Sequence, residues 1–165
     1  MANGNLKMMN MKLVGAFAIS TVFTLAIGTS PGFIAQADGS ANGLHTGVNQ
    51  LRQTCGPIGD DPRLTVAAQR HADDMLRKRN YSHTGSDGSS PRARIVESGY
   101  GTVGSTGEIV YWGTGSGATA SAALAFWMNS SGHRAIILNC AFTAGGFATA
   151  WDGNTMTAVV DFAGA

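Results

Sequence analysis

The first 37 residues of the chain limit both the compartment and the size of whatever folds after them. Lys7 and Lys12 are the only charged residues in this stretch, and a mostly apolar run extends from residue 13 to residue 27. The stretch closes on the small-x-small tripeptide Ala35-Gln36-Ala37. A basic start, an apolar centre and a small-residue exit are the three parts of a secretory signal peptide. We therefore predict that residues 1–37 are removed on export.

A membrane anchor is the alternative interpretation of this stretch, and its composition argues against it. Polar and small residues interrupt the apolar run, among them Ser20, Thr21, Thr24 and Gly28. A stable span needs about 20 mostly apolar residues. We therefore expect a secreted protein that is extracellular or associated with the cell wall.

The exported part, residues 38–165, has the usual size of one domain. We predict that residues 38–42 form a flexible N-terminus and that residues 43–165 form a single monomeric domain. Without the two leader lysines, nine basic and ten acidic residues remain. A nucleic-acid or anionic-membrane partner would require a clustered basic surface, so we expect neither.

Cys55 and Cys140 are the only cysteines in the chain. An even pair in an exported protein predicts a disulfide. Closing a loop of ~85 residues would stabilise the fold by about 4 to 5 kcal/mol at most in the chain-entropy model. A metal site or a catalytic thiol is the alternative. It is less favoured, because neither cysteine lies in a C-x-x-C motif or beside a histidine.

Helices come first along the exported part, and paired strands come last. The clearest helix follows Pro62, where apolar residues fall on one stripe and Asp61 is suited to cap the first turn. Shorter helices are predicted at four further places: before Cys55, after Pro91, over residues 118–129 and over residues 133–138. Strands are predicted over residues 108–112, 147–151 and 156–162, the last two joined by a turn. This order predicts an α+β sandwich with a small antiparallel sheet.

Three side chains stand out as candidates for chemistry. His83, in a loop predicted over residues 82–90, and His133 lie at element boundaries, where loops often place functional groups. Glu108 follows a glycine-rich loop predicted over residues 99–107 and begins an apolar strand, where a carboxylate is costly unless it is paired. Two imidazoles and a glutamate are a known zinc ligand set. Their spacing contains no local ligand motif, so the residues alone leave a shared site open.

Other signals in the sequence have simpler explanations. His71 falls on the apolar stripe of the clearest helix, which is typical of a hydrogen-bonded core histidine, and His45 is assigned no role. Residues 99–104 match G-x-G-x-x-G, but they follow a helix and precede a strand. That order is the reverse of the dinucleotide-binding context, so we interpret the match as accidental.

Five sequence blocks in a fixed order span nearly all of residues 43–163. They are YSHTGSDGSSP at 81–91, Gly107-Glu108, WMNSSGHRAIILN at 127–139, FTAGGF at 142–147 and VDF at 160–162. In these blocks the sequence resembles bacterial, SCP-like extracellular members of the CAP superfamily. The superfamily comprises cysteine-rich secretory proteins, antigen 5 and pathogenesis-related 1 proteins.

The resemblance implies a fold and a site. The fold would be an α-β-α sandwich with a small antiparallel sheet between helical layers. His83, Glu108 and His133 would converge in a central cleft, with Ser82 and Asn129 beside them. In family members these three positions can hold a zinc or magnesium ion, so one divalent metal is the cofactor that the resemblance implies.

The sequence departs from the family pattern at three places. The family strand usually reads G-E-N, whereas Ile109 follows the glutamate here, so a polar contact is lost. Many eukaryotic members carry a second glutamate where this chain has Asn129 or Ser130, which leaves a less acidic site. Ser131 replaces a proline before the last histidine, a change that we expect to matter little.

Three functions remain open for the cleft. The one we favour is a binding module for a lipid or another small apolar molecule, with or without a metal, because some family members bind sterols or fatty acids. The second is a zinc-assisted hydrolase or peptidase, in which a bound cation would lower the pKa of the water molecule attached to it towards ~7. Such an enzyme needs a separate general base, and the sequence offers none. The third is a non-catalytic domain that binds an unidentified protein partner.

Overall fold

A computed structural model describes residues 41–101 and 104–164. The predicted leader, residues 1–37, lies outside the described residues. Within them the helices are α1 (Ala41–Leu51), α2 (Pro62–Lys78), α3 (Pro91–Ile95), α4 (Ala120–Asn129) and α5 (Ser131–Ile137). The strands are β1 (Gly59–Asp60), β2 (Ser105–Thr114), β3 (Phe142–Asp152) and β4 (Thr155–Gly164). No helix in this part of the chain is long and apolar enough to cross a membrane.

The four strands form one sheet in the order β1-β3-β4-β2. β4 pairs antiparallel with both β2 and β3, whereas the two-residue β1 pairs parallel with β3. All ten residues of β4 are buried, because helices cover both faces of the sheet. α2 packs on one face beside α3, and α1, α4 and α5 lie on the other. The predicted α-β-α sandwich is confirmed, with the correction that β1 makes the sheet mixed.

The longest helix, α2, begins where the sequence predicts. The Asp61 side chain accepts a hydrogen bond from the Arg63 backbone N–H at 2.9 Å, and Pro62 occupies the first turn. The helix can lie very close to the sheet because residue 146 is glycine. A Cβ at Gly146 would lie 2.0 Å from the carbonyl carbon of Leu64, closer than any real contact. This close approach brings the side chains of α2 directly over β3 and β4.

Several helices and strands extend beyond their predicted bounds. β2 begins at Ser105 and β3 begins at Phe142, so the loop predicted over residues 99–107 is partly strand. These strand ends contain glycines and have no β-branched run; pairing with β4 forms them. At the other end of the chain, residues 41 and 42 belong to α1, although the sequence analysis assigned them to a flexible segment.

The predicted disulfide between Cys55 and Cys140 is confirmed, with the two Cα atoms 4.8 Å apart. It joins the segment after α1 to the segment after α5. The buried guanidinium of Arg52 lies close by and donates to the carbonyl oxygens of Ile137, Asn139 and Phe142. Three hydrogen bonds and a covalent bond therefore tie the same two segments together.

Candidate functional site

The carboxylate of Glu108 is the centre of a buried polar cluster on the α2 face of the sheet. Glu108 is only 5% exposed. Its Oε1 accepts a hydrogen bond from Nδ1 of His83 at 2.8 Å, and its Oε2 accepts one from Nη2 of Arg94 at 2.5 Å. The partners explain how a carboxylate is tolerated at the start of an apolar strand, since buried charges are stable only when they are paired and hydrogen-bonded.

Arg94 positions both the carboxylate and the loop that carries His83. Ser90 caps α3 by accepting from the backbone N–H of Ala93, and this short helix carries Arg94 into the interior. Besides Glu108, the guanidinium donates to the carbonyl oxygens of His83 and Ser89. One buried side chain thus holds the two ends of the loop and the glutamate in a fixed relation.

A second carboxyl group lies next to Glu108. Asp161 is the residue directly opposite it on β4, so both side chains point to the same face. Asp161 is fully buried, and no described group donates a hydrogen bond to its oxygens. Burial, reinforced by the nearby charge of Glu108, raises the pKa of Asp161 well above its ordinary value, although Arg94 opposes the shift. Two facing carboxylates in the interior repel each other, and the raised pKa favours the protonated form of Asp161.

His71, predicted to be a core histidine, borders the same cluster. It is 1% exposed, and its Nε2 hydrogen-bonds the carbonyl oxygen of Ser82 at 2.8 Å. The same nitrogen lies 3.9 Å from Oε1 of Glu108. Burial lowers the pKa of His71, so the imidazole is neutral at physiological pH. Its role is to fix the backbone just before His83.

A cavity of about 410 Å³ opens beside β2, and it contains both imidazoles that the sequence singled out. His83 and His133 contribute to its wall together with six largely apolar side chains: Met75, Tyr81, Val110, Tyr111, Trp112 and Phe126. Tyr81 stacks on Trp112 with ring centroids 4.6 Å apart, and Phe126 lies 5.6 Å from the imidazole of His133. The site is therefore an aromatic pocket with two polar corners.

The two imidazoles differ in their affinity for a proton. The hydrogen bond with Glu108 raises the pKa of His83, although burial and Arg94 oppose the effect. Burial and the neighbouring His83 both lower the pKa of His133. His83 is therefore the imidazole that binds a proton more readily, and His133 is the one that gives it up more readily.

The structure places the predicted site residues as follows. It brings His83 and Glu108 into direct contact and puts His133 on the wall of the same cavity. Ser82 and Asn129 do not line this cavity. The Ser82 hydroxyl donates to the carbonyl oxygen of Thr84, and Asn129 is exposed at the end of α4. Ser82 therefore supports the loop, and it does not present a nucleophile.

The predicted metal ligands do not fit a three-ligand centre as they are arranged. Among the described residues, no group of three His, Cys, Asp or Glu side chains is placed to hold a metal ion. Both oxygens of Glu108 already accept hydrogen bonds, one from His83 and one from Arg94. A cation at Oε1 would have to replace the hydrogen bond with Nδ1 of His83, and a cation at Oε2 would have to compete with Arg94. We derive no chemistry from a bound metal for this reason.

Sequence reasoning missed Arg94, Asp161 and the aromatic wall. Arg94 is one of two arginines in Pro91-Arg92-Ala93-Arg94, and nothing in that pattern shows which of them enters the interior. Asp161 belongs to the VDF block that supports the family resemblance, but the sequence analysis assigned it no role. A signal was available for it, since an aspartate inside a run of buried strand residues needs a specific explanation.

The fold and the site together define a class of protein: a small, disulfide-closed α-β-α sandwich with a cavity at the outer edge of its sheet. Residues 46–162 match the cysteine-rich secretory protein family, CAP. The chain belongs to this family, and the resemblance stated from the sequence blocks is confirmed. No curated protein sequence matches the chain.

Three solved bacterial structures share the fold. An outer surface protein of Borrelia burgdorferi superposes with a TM-score of 0.64 and 23% identity, over 73% of this chain and 89% of that one. An extracellular SCP-domain protein of Bacillus anthracis gives a TM-score of 0.58 and 22% identity, over 75% of this chain and 41% of that one. A cysteine-rich secretory protein of Staphylococcus aureus gives 0.56 and 18%, over 76% and 38%. This chain spans less than half the length of the latter two proteins.

Proposed function

We propose that this CAP domain acts outside the cytoplasm as a binding module for a small, largely apolar molecule such as a lipid. The observation that carries the proposal is the aromatic cavity beside β2. The extracellular setting is supported by the Cys55–Cys140 disulfide, since such bonds persist in oxidising compartments. It is also supported by the outer-surface and extracellular proteins that share the fold.

The cavity has the physical properties of a ligand site. Its volume of about 410 Å³ falls within the roughly 300–1,000 Å³ of small-molecule pockets. Trp112 and Phe126 are each about half exposed, so a ligand that covers them removes apolar surface from water at about 25 cal/mol per Å². His83 and His133 supply two polar groups that would orient one end of the ligand.

The wall chemistry favours binding over turnover. Among the described residues, the cavity is lined by methionine, valine, aromatic and histidine side chains, with no serine, cysteine or threonine to act as a nucleophile. His83 is oriented by Glu108, as a general base often is. However, the described cavity wall offers no nucleophilic hydroxyl or thiol for His83 to activate, so this orientation alone does not assemble a hydrolytic site.

The proposal is tested by titrating the purified protein with cis-parinaric acid, a fluorescent fatty acid, and following its emission. We expect saturable binding that Phe126→Ala weakens at least tenfold, because this change removes a half-exposed ring from the cavity wall. Trp151→Ala is the matched control, because Trp151 is similarly exposed but does not line the cavity. Equal affinities of the two variants, or no binding at all, would refute the proposal. Release of a hydrolysed product from the matching ester would instead favour the enzyme.

A further inference from the structure

The cavity faces the open edge of the sheet, and this follows from the side chains that line it. β2 is an outer strand of the sheet. Val110 packs with the core on the α2 side and Trp112 stacks on Tyr81, whereas Tyr111 packs with the core on the α4 side. Successive side chains of a strand point to opposite faces. A cavity lined by Val110, Tyr111 and Trp112 together must therefore lie beside the strand edge.

The backbone groups that point to this edge can be assigned from two independent observations. First, the indole of Trp127 donates to the carbonyl oxygen of Val110 at 2.8 Å, so this carbonyl points away from β4. In an antiparallel pair the backbone groups of alternate residues point outward. The N–H and C=O of Trp112, two residues further on, therefore also face outward.

The hairpin between β3 and β4 gives the same assignment. Asp152 and Thr155 flank a two-residue turn, and such a pair bonds across the β3–β4 ladder. The backbone groups of Thr155 therefore point towards β3, and those of alternate residues along β4 point towards β2. Met156 and Ala158 are such residues, and their partners on β2 are Gly113 and Tyr111. Trp112 lies between these two residues, and its backbone groups are left facing outward.

The chain covers this edge at Val110 and leaves the Trp112 backbone open. Trp127 closes the edge at Val110. The turn Gly115–Gly117 folds back over the α4 face of the strand, where Tyr111 donates its hydroxyl hydrogen to the Gly117 carbonyl at 2.8 Å. Within the described residues, no loop or side chain hydrogen-bonds the Trp112 N–H or C=O.

An apolar ligand would strip water from these two groups and leave them unpaired, at a cost of about 1–3 kcal/mol each. We infer that the ligand of this cavity carries an amide group, which pairs in extended conformation with the backbone N–H and C=O of Trp112 while its apolar substituent fills the aromatic pocket. This inference rests on the proposed function and names the chemical class of the ligand. Short apolar peptides and acylated amines share that chemistry.

The first test varies the ligand. Calorimetry compares N-hexylacetamide with hexyl acetate, which keeps the carbonyl and the alkyl chain but lacks the N–H. We expect the amide to bind about tenfold more tightly, the equivalent of one hydrogen bond of about 1.4 kcal/mol. N-acetyl-leucine N-methylamide, a peptide mimic, shows which source of the amide fits better. Equal binding of amide and ester overturns the inference.

The second test varies the protein. Trp112→Pro and Trp112→Ala both remove the indole, but only proline also removes the backbone N–H. Proline is tolerated on an edge strand when its nitrogen faces outward. We expect the proline variant to bind N-hexylacetamide about tenfold more weakly than the alanine variant, with both folded by circular dichroism. A proline variant that is folded and binds as tightly as the alanine variant contradicts the inference.

The two proposals fail in different ways. If cis-parinaric acid binds and both hexyl compounds do not, the apolar cavity stands and the amide inference is overturned. If none of the probes binds, the proposed function is overturned, and the inference that rests on it is overturned as well.

Discussion

Two arginine side chains are buried in this small domain, one in each helical layer, and they differ in what neutralises them. Arg52 and Arg94 are each 1% exposed. Arg94 pairs with the buried carboxylate of Glu108, whereas Arg52 donates only to backbone carbonyl oxygens. Arg52 lies beside the disulfide, and Arg94 lies beside the cavity.

The difference separates a structural arginine from a positioning one. Arg52 donates to carbonyl groups at the end of α5 and the start of β3, and this role requires hydrogen-bond donors. Arg94 in addition balances a charge, because Glu108 has no other permanent cation among its hydrogen-bond partners. Removing the Arg94 side chain should therefore lower the free energy of unfolding more than removing the Arg52 side chain.

The largest effect is expected for Arg94→Met, which leaves Glu108 as a buried charge without its counter-ion. Breaking one side of a buried pair costs about 3–5 kcal/mol, measured as the loss in the free energy of unfolding by urea. Arg70→Met is the control, since Arg70 forms exposed ion pairs with Asp87 and Glu97, and exposed pairs contribute little to stability. Similar losses in the two variants would show that Glu108 does not depend on Arg94.

A smaller loss is expected for Arg52→Met. The variant removes a donor from each of three carbonyl oxygens and should lower the free energy of unfolding by about 1–3 kcal/mol, with the disulfide intact in both proteins. Arg134→Met is the matched control, because exposed Arg134 also donates to a carbonyl, that of Met128, and should change stability by about 0.5 kcal/mol or less. A loss for Arg52→Met as large as that for Arg94→Met would remove the distinction between the two arginines.

The carboxyl pair beside Arg94 predicts a pH dependence. The pKa of Asp161 is raised in the folded protein, whereas an aspartate in an unfolded chain titrates near ~3.9. Above that value the folded state holds the extra proton, so stability falls as pH rises, by at most about 1.4 kcal/mol per pH unit. Asp161→Asn does not titrate and should gain stability relative to the wild type as pH rises above ~3.9. Urea unfolding at several pH values tests this, and parallel profiles would refute it.

The smallest effect concerns metal. Because His83 and Arg94 engage both oxygens of Glu108, we expect zinc calorimetry on the wild type to show no stoichiometric binding. His83→Ala and His133→Ala provide the comparison. Stoichiometric zinc binding that both variants lose would show that the cluster rearranges around a cation, and it would favour the zinc-hydrolase alternative considered from the sequence.

Local patterns explain which parts of the fold could be predicted from the sequence. Asp61 and Pro62 define the start of α2 because a cap and a first-turn proline act on neighbouring residues. The turn at Gly153 defines the β3–β4 hairpin, since Gly153 has a positive φ of 58°, which glycine adopts without strain. Two cysteines allow only one intramolecular disulfide. The family blocks then supplied the arrangement of the layers.

What only the tertiary structure decided is the content of the site. Arg94, Glu108 and Asp161 come from α3, β2 and β4, and the wall of the cavity combines side chains of β2 with others from α2 and α4. Hydrophobic periodicity shows which face of an element is buried, but it does not show which buried polar groups meet. The sequence by itself therefore determined the layers, the disulfide and the two imidazoles. The arginine counter-ion, the paired carboxyl groups and the open edge at Trp112 depend on long-range packing, because their partners are fixed only when distant elements dock.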